Sequence, residues 1–388
     1  MNEPRCDVCN LYKSCKSPKM RPTGSGKANV LVVAEAPGKS EDEKGIQLIG
    51  ESGTLLRNCL NRIGIDLDED CIKTNAIICR PPDNRTPTQK ELDCCRPNLV
   101  KTIEKYNPIV ILTLGDKALR QVLSPYWRKD FGQLQRWVGF QIPLQPLNTW
   151  ICPTYHPAYI LRDAQNQVLY NTFVGHLRNA FSLKKRPWKN VPDYCSLINI
   201  TDNVKDIEDR INDIINNNKT IAIDYETNML KPDSEAATCI SAAVAWGVHN
   251  KLEGCIAYLI TPETKELTRK LLLSKVPKIA ANIKFETRWS KKFFGASVKN
   301  WHWDTMLAAH VLDNRENITS LDFQALVMLG FPDYSSGIEA HFKSFNSNTP
   351  SCLLYRIDSS ELLKYNALDS ILEFELATKQ KQMMQYLD

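Results

Sequence analysis

The 388-residue sequence contains no run of about 18 apolar residues, and Met1 is not followed by a basic-then-apolar leader. The first absence argues against a membrane-spanning helix and the second against secretion, so a cytoplasmic protein is expected. No repeat with a period of about 20–50 residues is present, which excludes solenoids and propellers. Cysteine is not scarce, at 13 residues, but the count is odd and the spacing irregular. A disulfide framework is therefore not expected, and thiols in a reducing compartment are more often free or metal-bound. Apolar residues make up 43% and charged residues 24%, the composition of a soluble globular chain long enough for two or three domains.

The net charge of +5 hides an asymmetry. Residues 1–190 hold 28 Lys and Arg against 18 Asp and Glu, an excess of ten positive charges. The rest of the chain holds 21 against 26, an excess of five negative charges. A basic half suits a phosphate backbone, and an acidic half suits carboxylates that hold divalent cations. Charge scattered over the surface is the alternative reading.

In the first half, apolar runs at 29–34, 72–79, 108–114 and 151–155 read as strands, and residues 52–63 and 89–106 as helices. Strands alternating with helices predict an α/β domain with a largely parallel sheet, its ligands just beyond the strand ends. Residues 183–193 are basic, proline-punctuated and non-periodic, and mark a linker. The expected boundaries are 1–186 for the first domain, 187–194 for the linker and 195–388 for the second domain. Beyond the linker come a helix near 206–217, strands at 220–225, 241–246 and 255–260, and then further helices.

Cys6 and Cys9 form a C-x2-C pair, and Cys79 and Cys95 follow with 15 residues between them. A close pair plus two distant thiolates suits an iron–sulfur cluster or a structural zinc that ties a terminus to a folded body. Between and beyond these cysteines stand Glu35-Ala36-Pro37-Gly38, Glu41-Asp42, Asn75, Arg80-Pro81-Pro82 and His156-Pro157. In this order, residues 1–190 resemble the family 4, iron–sulfur type of uracil-DNA glycosylase. The resemblance implies a 4Fe-4S cluster on Cys6, Cys9, Cys79 and Cys95. It further implies that Glu35 and Glu41 position water, that Asn75 reads the uracil edge through its amide, and that His156 donates to a uracil carbonyl oxygen. One motif departs. The family has Gly-x-Pro-Phe-x-Gly, whose phenylalanine stacks on the base, where this chain has Gly45-Ile46-Gln47-Leu48-Ile49-Gly50. Losing base–aromatic stacking costs roughly 1–3 kcal/mol. Weak or absent uracil excision with retained DNA binding is therefore expected.

In the second half, Asp224-Tyr225-Glu226 ends an apolar strand, so both carboxylates project from one face. Asn282-Ile283-Lys284-Phe285-Glu286, Trp303-Asp304-Thr305 and Tyr365-Asn366-Ala367-Leu368-Asp369 follow. In this order, residues 195–388 resemble the 3′–5′ proofreading exonuclease domain of family A DNA polymerases. The resemblance implies a ribonuclease-H-like fold and two Mg2+ or Mn2+ ions held by Asp224, Glu226, Glu286 and Asp369. Tyr365 would orient the attacking water, and Asp304 would be structural. Glu286 stands where the family has aspartate. The whole reads as the front part of a phage-type DNA polymerase acting on single-stranded 3′ ends with a polymerase domain or subunit, with no membrane role. A competing reading keeps only the nuclease catalytic and makes the glycosylase fold a DNA-binding module.

Overall fold

The computed structural model describes residues 3–338, 341 and 357–385. Cys352, expected to be a core or surface thiol, lies outside the described residues. The chain divides into two compact units, Met1–Val191 with Gly330–Pro332, and Pro192–Leu329 with Asp333–Asp388.

The first unit is built on a five-stranded sheet of order β2-β1-β3-β5-β4. Its strands are β1 (Val30–Ala34), β2 (Cys71–Asn75), β3 (Val110–Leu114), β4 (Ile142–Leu144) and β5 (Thr149–Thr154). β2, β1, β3 and β5 run parallel, and β4 closes one edge antiparallel to β5. The parallel strands are buried on both faces, which explains their uninterrupted apolar sequence. Leu56 and Leu60 of the helix Glu51–Asn61 and Phe173 and Leu177 of the helix Gln167–Ser182 fill one side of this core. Each fully buried side chain of this size contributes roughly 1.5–3 kcal/mol. The helix Gln89–Tyr106 begins at a Thr88–Glu91 capping box, and Glu91 is also gripped by both terminal nitrogens of Arg85. β2 is shorter than the apolar run at 72–79 suggests. Beyond Asn75 the chain bends, the Ile78 carbonyl accepts from Met20 N–H, and Cys79 turns toward the other cysteines. Part of the expected linker is tied to this unit, because Arg186 donates to the carbonyls of Asn107 and Asn148 and Trp188 Nε1 to that of Pro143.

The second unit has a six-stranded sheet of order β11-β10-β7-β8-β9-β6. Its strands are β6 (Ile198–Ile200), β7 (Thr220–Thr227), β8 (Cys239–Val248), β9 (Lys251–Leu259), β10 (Lys278–Ala280) and β11 (Trp301–Asp304). β7, β8 and β9 form an antiparallel meander, with β10 and β11 added parallel beyond β7 and β6 parallel to β9. The β8–β9 turn holds His249 and Asn250 with φ of 49° and 59°, the left-handed pair that a two-residue hairpin requires. A closing helix, Ser359–Gln385, packs over β7, β8 and β9.

Candidate active sites and a cysteine cavity

On β7, Ile221, Ile223 and Tyr225 point into the core, so alternation sends Asp224 and Glu226 to the opposite face. Their cross-strand partners on β8 are Ala243 and Ser241, small residues that leave room for the closing helix. That helix is bolted to β8 by two hydrogen bonds. Ser370 Oγ donates to the Ala243 carbonyl, and Ser241 Oγ donates to Asn366 Oδ1. Between these bolts Asp369 reaches the β7 acids. One oxygen each of Asp224, Glu226 and Asp369 lies within 4.8 Å of the others. Asn366 Nδ2 donates to Asp224 Oδ2 at 2.6 Å, and the hydroxyls of Tyr334 and Tyr365 bond Asp369.

Glu286 lies in the first turn of the helix Ile283–Phe293, 2% exposed, with Oε2 free of any hydrogen bond. The loop that presents it is held by two carboxylates. Glu373 Oε1 accepts Ala281 N–H at 2.9 Å, and Asp304 accepts the N–H groups of Asn282 and Ile283. Asp304 also caps the helix Thr305–Leu312. Glu373 is itself 1% exposed, with Oε2 unpartnered. Burial drives Asp224 up to about 6. Burial, then the neighbouring carboxylates, pushes Glu226, Asp369, Glu286 and Glu373 well above the usual range. Five carboxyls that repel one another need protons or cations.

Asn366, Tyr334 and Glu373 were not singled out in the sequence. Glu373 carries one signal, its position one helical turn beyond Asp369 on the face that bears Tyr365. Asn366 lies inside the Tyr365–Asp369 motif but was given no role there, and Tyr334 carries no signal, since its partner lies 35 residues away.

In the first unit, Cys6, Cys9, Cys79, Cys94 and Cys95 line one cavity. Lys19 N–H donates to Cys79 Sγ at 3.3 Å, Asn98 Nδ2 donates to Cys95 Sγ at 3.4 Å, and backbone groups of Leu11 and Ile78 bond Cys9 and Cys95. Burial raises Cys9 and Cys95 and pushes Cys79 up to about 12. Amide donors aimed at sulfur in an apolar cavity are an environment in which a bound metal, by displacing the protons, holds thiolates.

The other expected residues share the carboxyl edge of the parallel strands. Glu35 follows β1, Asn75 ends β2 in register with Ala34, and His156 follows β5. Gly115, at the end of β3, has φ of +88°, and a Cβ there would meet His156 Cβ at 3.1 Å. Burial lowers His156 to about 4, and its Nδ1 accepts Ala158 N–H. The ring is therefore neutral with its proton on Nε2, the form that donates without charge. Burial raises Glu35, partly opposed by Lys117. Glu41 is placed differently. Its carboxylate accepts the N–H groups of Gly38, Ile49 and Gly50 at 3.1, 2.9 and 2.8 Å, so it clamps the 45–50 loop. Leu48 is 6% exposed, packed in the core with φ of +53°.

The first unit thus presents polar side chains at a parallel-strand edge, and the second gathers carboxylates on a mixed sheet. A family model of the uracil DNA glycosylase superfamily matches residues 22–180, and a 3'-5' exonuclease model matches residues 198–385. The chain is 38% identical over 166 residues to the type-4 uracil-DNA glycosylase of Pyrobaculum aerophilum, covering 40% of this chain and 80% of that protein. It is 27% identical over 325 residues to the DNA polymerase of Bacillus phage SP01, covering 76% of this chain but 34% of the polymerase. The catalytic core of RRP6 from Trypanosoma brucei aligns over 49% of this chain and 47% of its own at 16% identity and a TM-score of 0.37. Through its first half the chain belongs to the type-4 uracil-DNA glycosylase family, and its second half is a 3′–5′ exonuclease domain. No helix among the described residues is long and apolar enough to cross a membrane.

Proposed function

We propose that the chain is a 3′–5′ exodeoxyribonuclease that trims single-stranded DNA ends, joined to a glycosylase fold that grips DNA. The observation that carries this reading is the convergence of Asp224, Glu226 and Asp369 from a central strand and a crossing helix. The donor set is all carboxylate oxygen, which suits Mg2+ or Mn2+, and the buried, unpartnered Oε2 of Glu286 fits the same role. Asp224, Glu226, Asp369 and Glu286 would hold the pair of ions. When bound, such a pair supplies activation of water and stabilisation of the leaving oxygen. The protein's own part is orientation. Asn366 fixes the Asp224 carboxylate, Tyr334 fixes that of Asp369, and Tyr365, which also bonds Asp369, would orient the attacking water.

Cys6, Cys9, Cys79 and Cys95 would hold a 4Fe-4S cluster that staples the N-terminal segment to the helix Gln89–Tyr106. The match to a phage polymerase supports a partner polymerase domain or subunit, and hence work at replicating DNA in a host cytoplasm. A 3′-labelled single strand tests the nuclease. Stepwise shortening with Mg2+ or Mn2+, stopped by EDTA and by Asp224→Ala, is expected, and trimming that survives both Asp224→Ala and Asp369→Ala overturns the site. Metal analysis after anaerobic purification should give about four iron atoms per chain. Stoichiometric zinc without iron overturns the cluster.

A further inference from the structure

We infer that Gln47 occupies the base-recognition position of the first unit, so that this unit holds DNA without reading uracil. The inference rests on the proposed reading of that unit as a DNA-binding glycosylase fold and concerns what its pocket accepts.

Asn75 ends β2 at the edge where an α/β sheet presents ligands, and its side chain is 3% exposed. Its amide is useful to a base reader because one end donates and the other accepts. Here that amide is engaged from within the chain, with Nδ2 donating to Oε1 of Gln47. Gln47 is completely buried, and its own Nε2 donates to the Arg21 carbonyl at 3.3 Å. A primary amide presents a carbonyl oxygen beside an N–H, the same pairing that one edge of uracil presents. The oxygen of Gln47 thus takes the place of the acceptor that Asn75 would otherwise bind, while its N–H is used by the Arg21 carbonyl.

Gln47 is held firmly. Glu41 carries the loop on both sides, taking Ile49 and Gly50 N–H with its carboxylate while its backbone carbonyl takes Gly45 N–H at 2.7 Å. Leu48 anchors the next position in the core, its carbonyl lying where a side chain on residue 53 would collide, and that residue is Gly53. A base entering the site must displace Gln47 and strand its buried amide, which is costly unless a new partner appears. The Gly-x-Pro-Phe-x-Gly motif has proline at this position, with no side-chain amide to compete. The substitution with the larger consequence is therefore Gln47, and Leu48 is secondary.

The test uses the full chain carrying Asp224→Ala, so that DNA survives the assay. Binding of single strands with one uracil, or thymine in its place, is measured by fluorescence anisotropy, and uracil release by alkaline cleavage. With Gln47 present, both strands should bind within twofold of each other, and uracil release should be at background. Gln47→Ala and Gln47→Pro should each raise uracil release, or uracil-over-thymine preference, at least tenfold. A tenfold uracil preference or robust release with Gln47 in place overturns the inference, and needs no variant to fold. So does an absence of gain in both variants when iron content and thymine-strand binding are unchanged. Failure to bind either strand would instead overturn the reading of the first unit as a DNA-binding module.

Discussion

Glu41 in the first unit and Glu226 in the second are both buried carboxylates, yet their oxygens meet different company. Glu41 accepts three backbone N–H groups and holds a loop. Glu226 faces Asp224 and Asp369, and burial with their charge pushes its proton affinity well up. Asn75 and Glu286 repeat the contrast. The amide of Asn75 is matched by Gln47, whereas Glu286 keeps a buried oxygen with no partner. A polar group already satisfied by the chain serves the fold, and buried like charges left unsatisfied mark a place prepared for something the chain does not supply.

The largest effect that would break this comparison belongs to Asp369. Asp369→Asn should cut 3′ trimming about 10³-fold, a loss of about 4 kcal/mol at the transition state, while raising the Tm of the metal-free protein. A measured rate within tenfold of the parent, or a lower Tm in EDTA, would show that the acids are structural after all. The second effect falls on Glu41. Glu41→Ala strands three amides and should cost about 2–3 kcal/mol in denaturant unfolding of the first unit, with trimming unchanged. Neutral stability there would return Glu41 to the catalytic set.

A comparable effect concerns pH. The folded value of Asp224, about 6, lies above its unfolded value of 3.8. The charged form is therefore disfavoured in the fold. The contribution of Asp224 to the stability of the metal-free protein is fully present below about pH 4 and is lost as pH rises through 6, a fall of about 3 kcal/mol or roughly 6–12 °C. Melting in EDTA from pH 4.5 to 8 should show the fall and Mn2+ should cancel it; identical profiles with and without Mn2+ would argue against the site. Next comes Glu373. If it positions the Glu286 loop through Ala281, Glu373→Ala should slow trimming about tenfold, near 1.4 kcal/mol, and Glu373→Gln should recover most of the rate because its carbonyl still accepts that N–H. An equal loss in both variants would assign Glu373 to charge instead. The smallest effect is that of Leu48→Phe, expected to change uracil release less than twofold while Gln47 remains on Asn75. A large gain from this single change would restore the stacking position as the decisive one.

Much of the frame was legible because it is local. Period-two alternation put Asp224 and Glu226 on one face, apolar runs gave β1, β3, β5 and β7 to β9, and residues 89–106 read as a helix. β4, β6, β10 and β11 escaped notice because three or four residues carry too little pattern, and neighbours in the sheet determine their state.

The sequence by itself determined the two fold classes, the order of the motifs and the residue types able to bind metal, because these depend on spacing along the chain. Only the tertiary structure decided which of those groups are spent. Gln47 meets Asn75 across 28 residues, Glu373 meets Ala281 across 92, and Asn366 meets Asp224 across 142. A buried hydrogen bond is made with whatever donor or acceptor packing brings within about 3 Å, and spacing in the sequence does not encode that proximity.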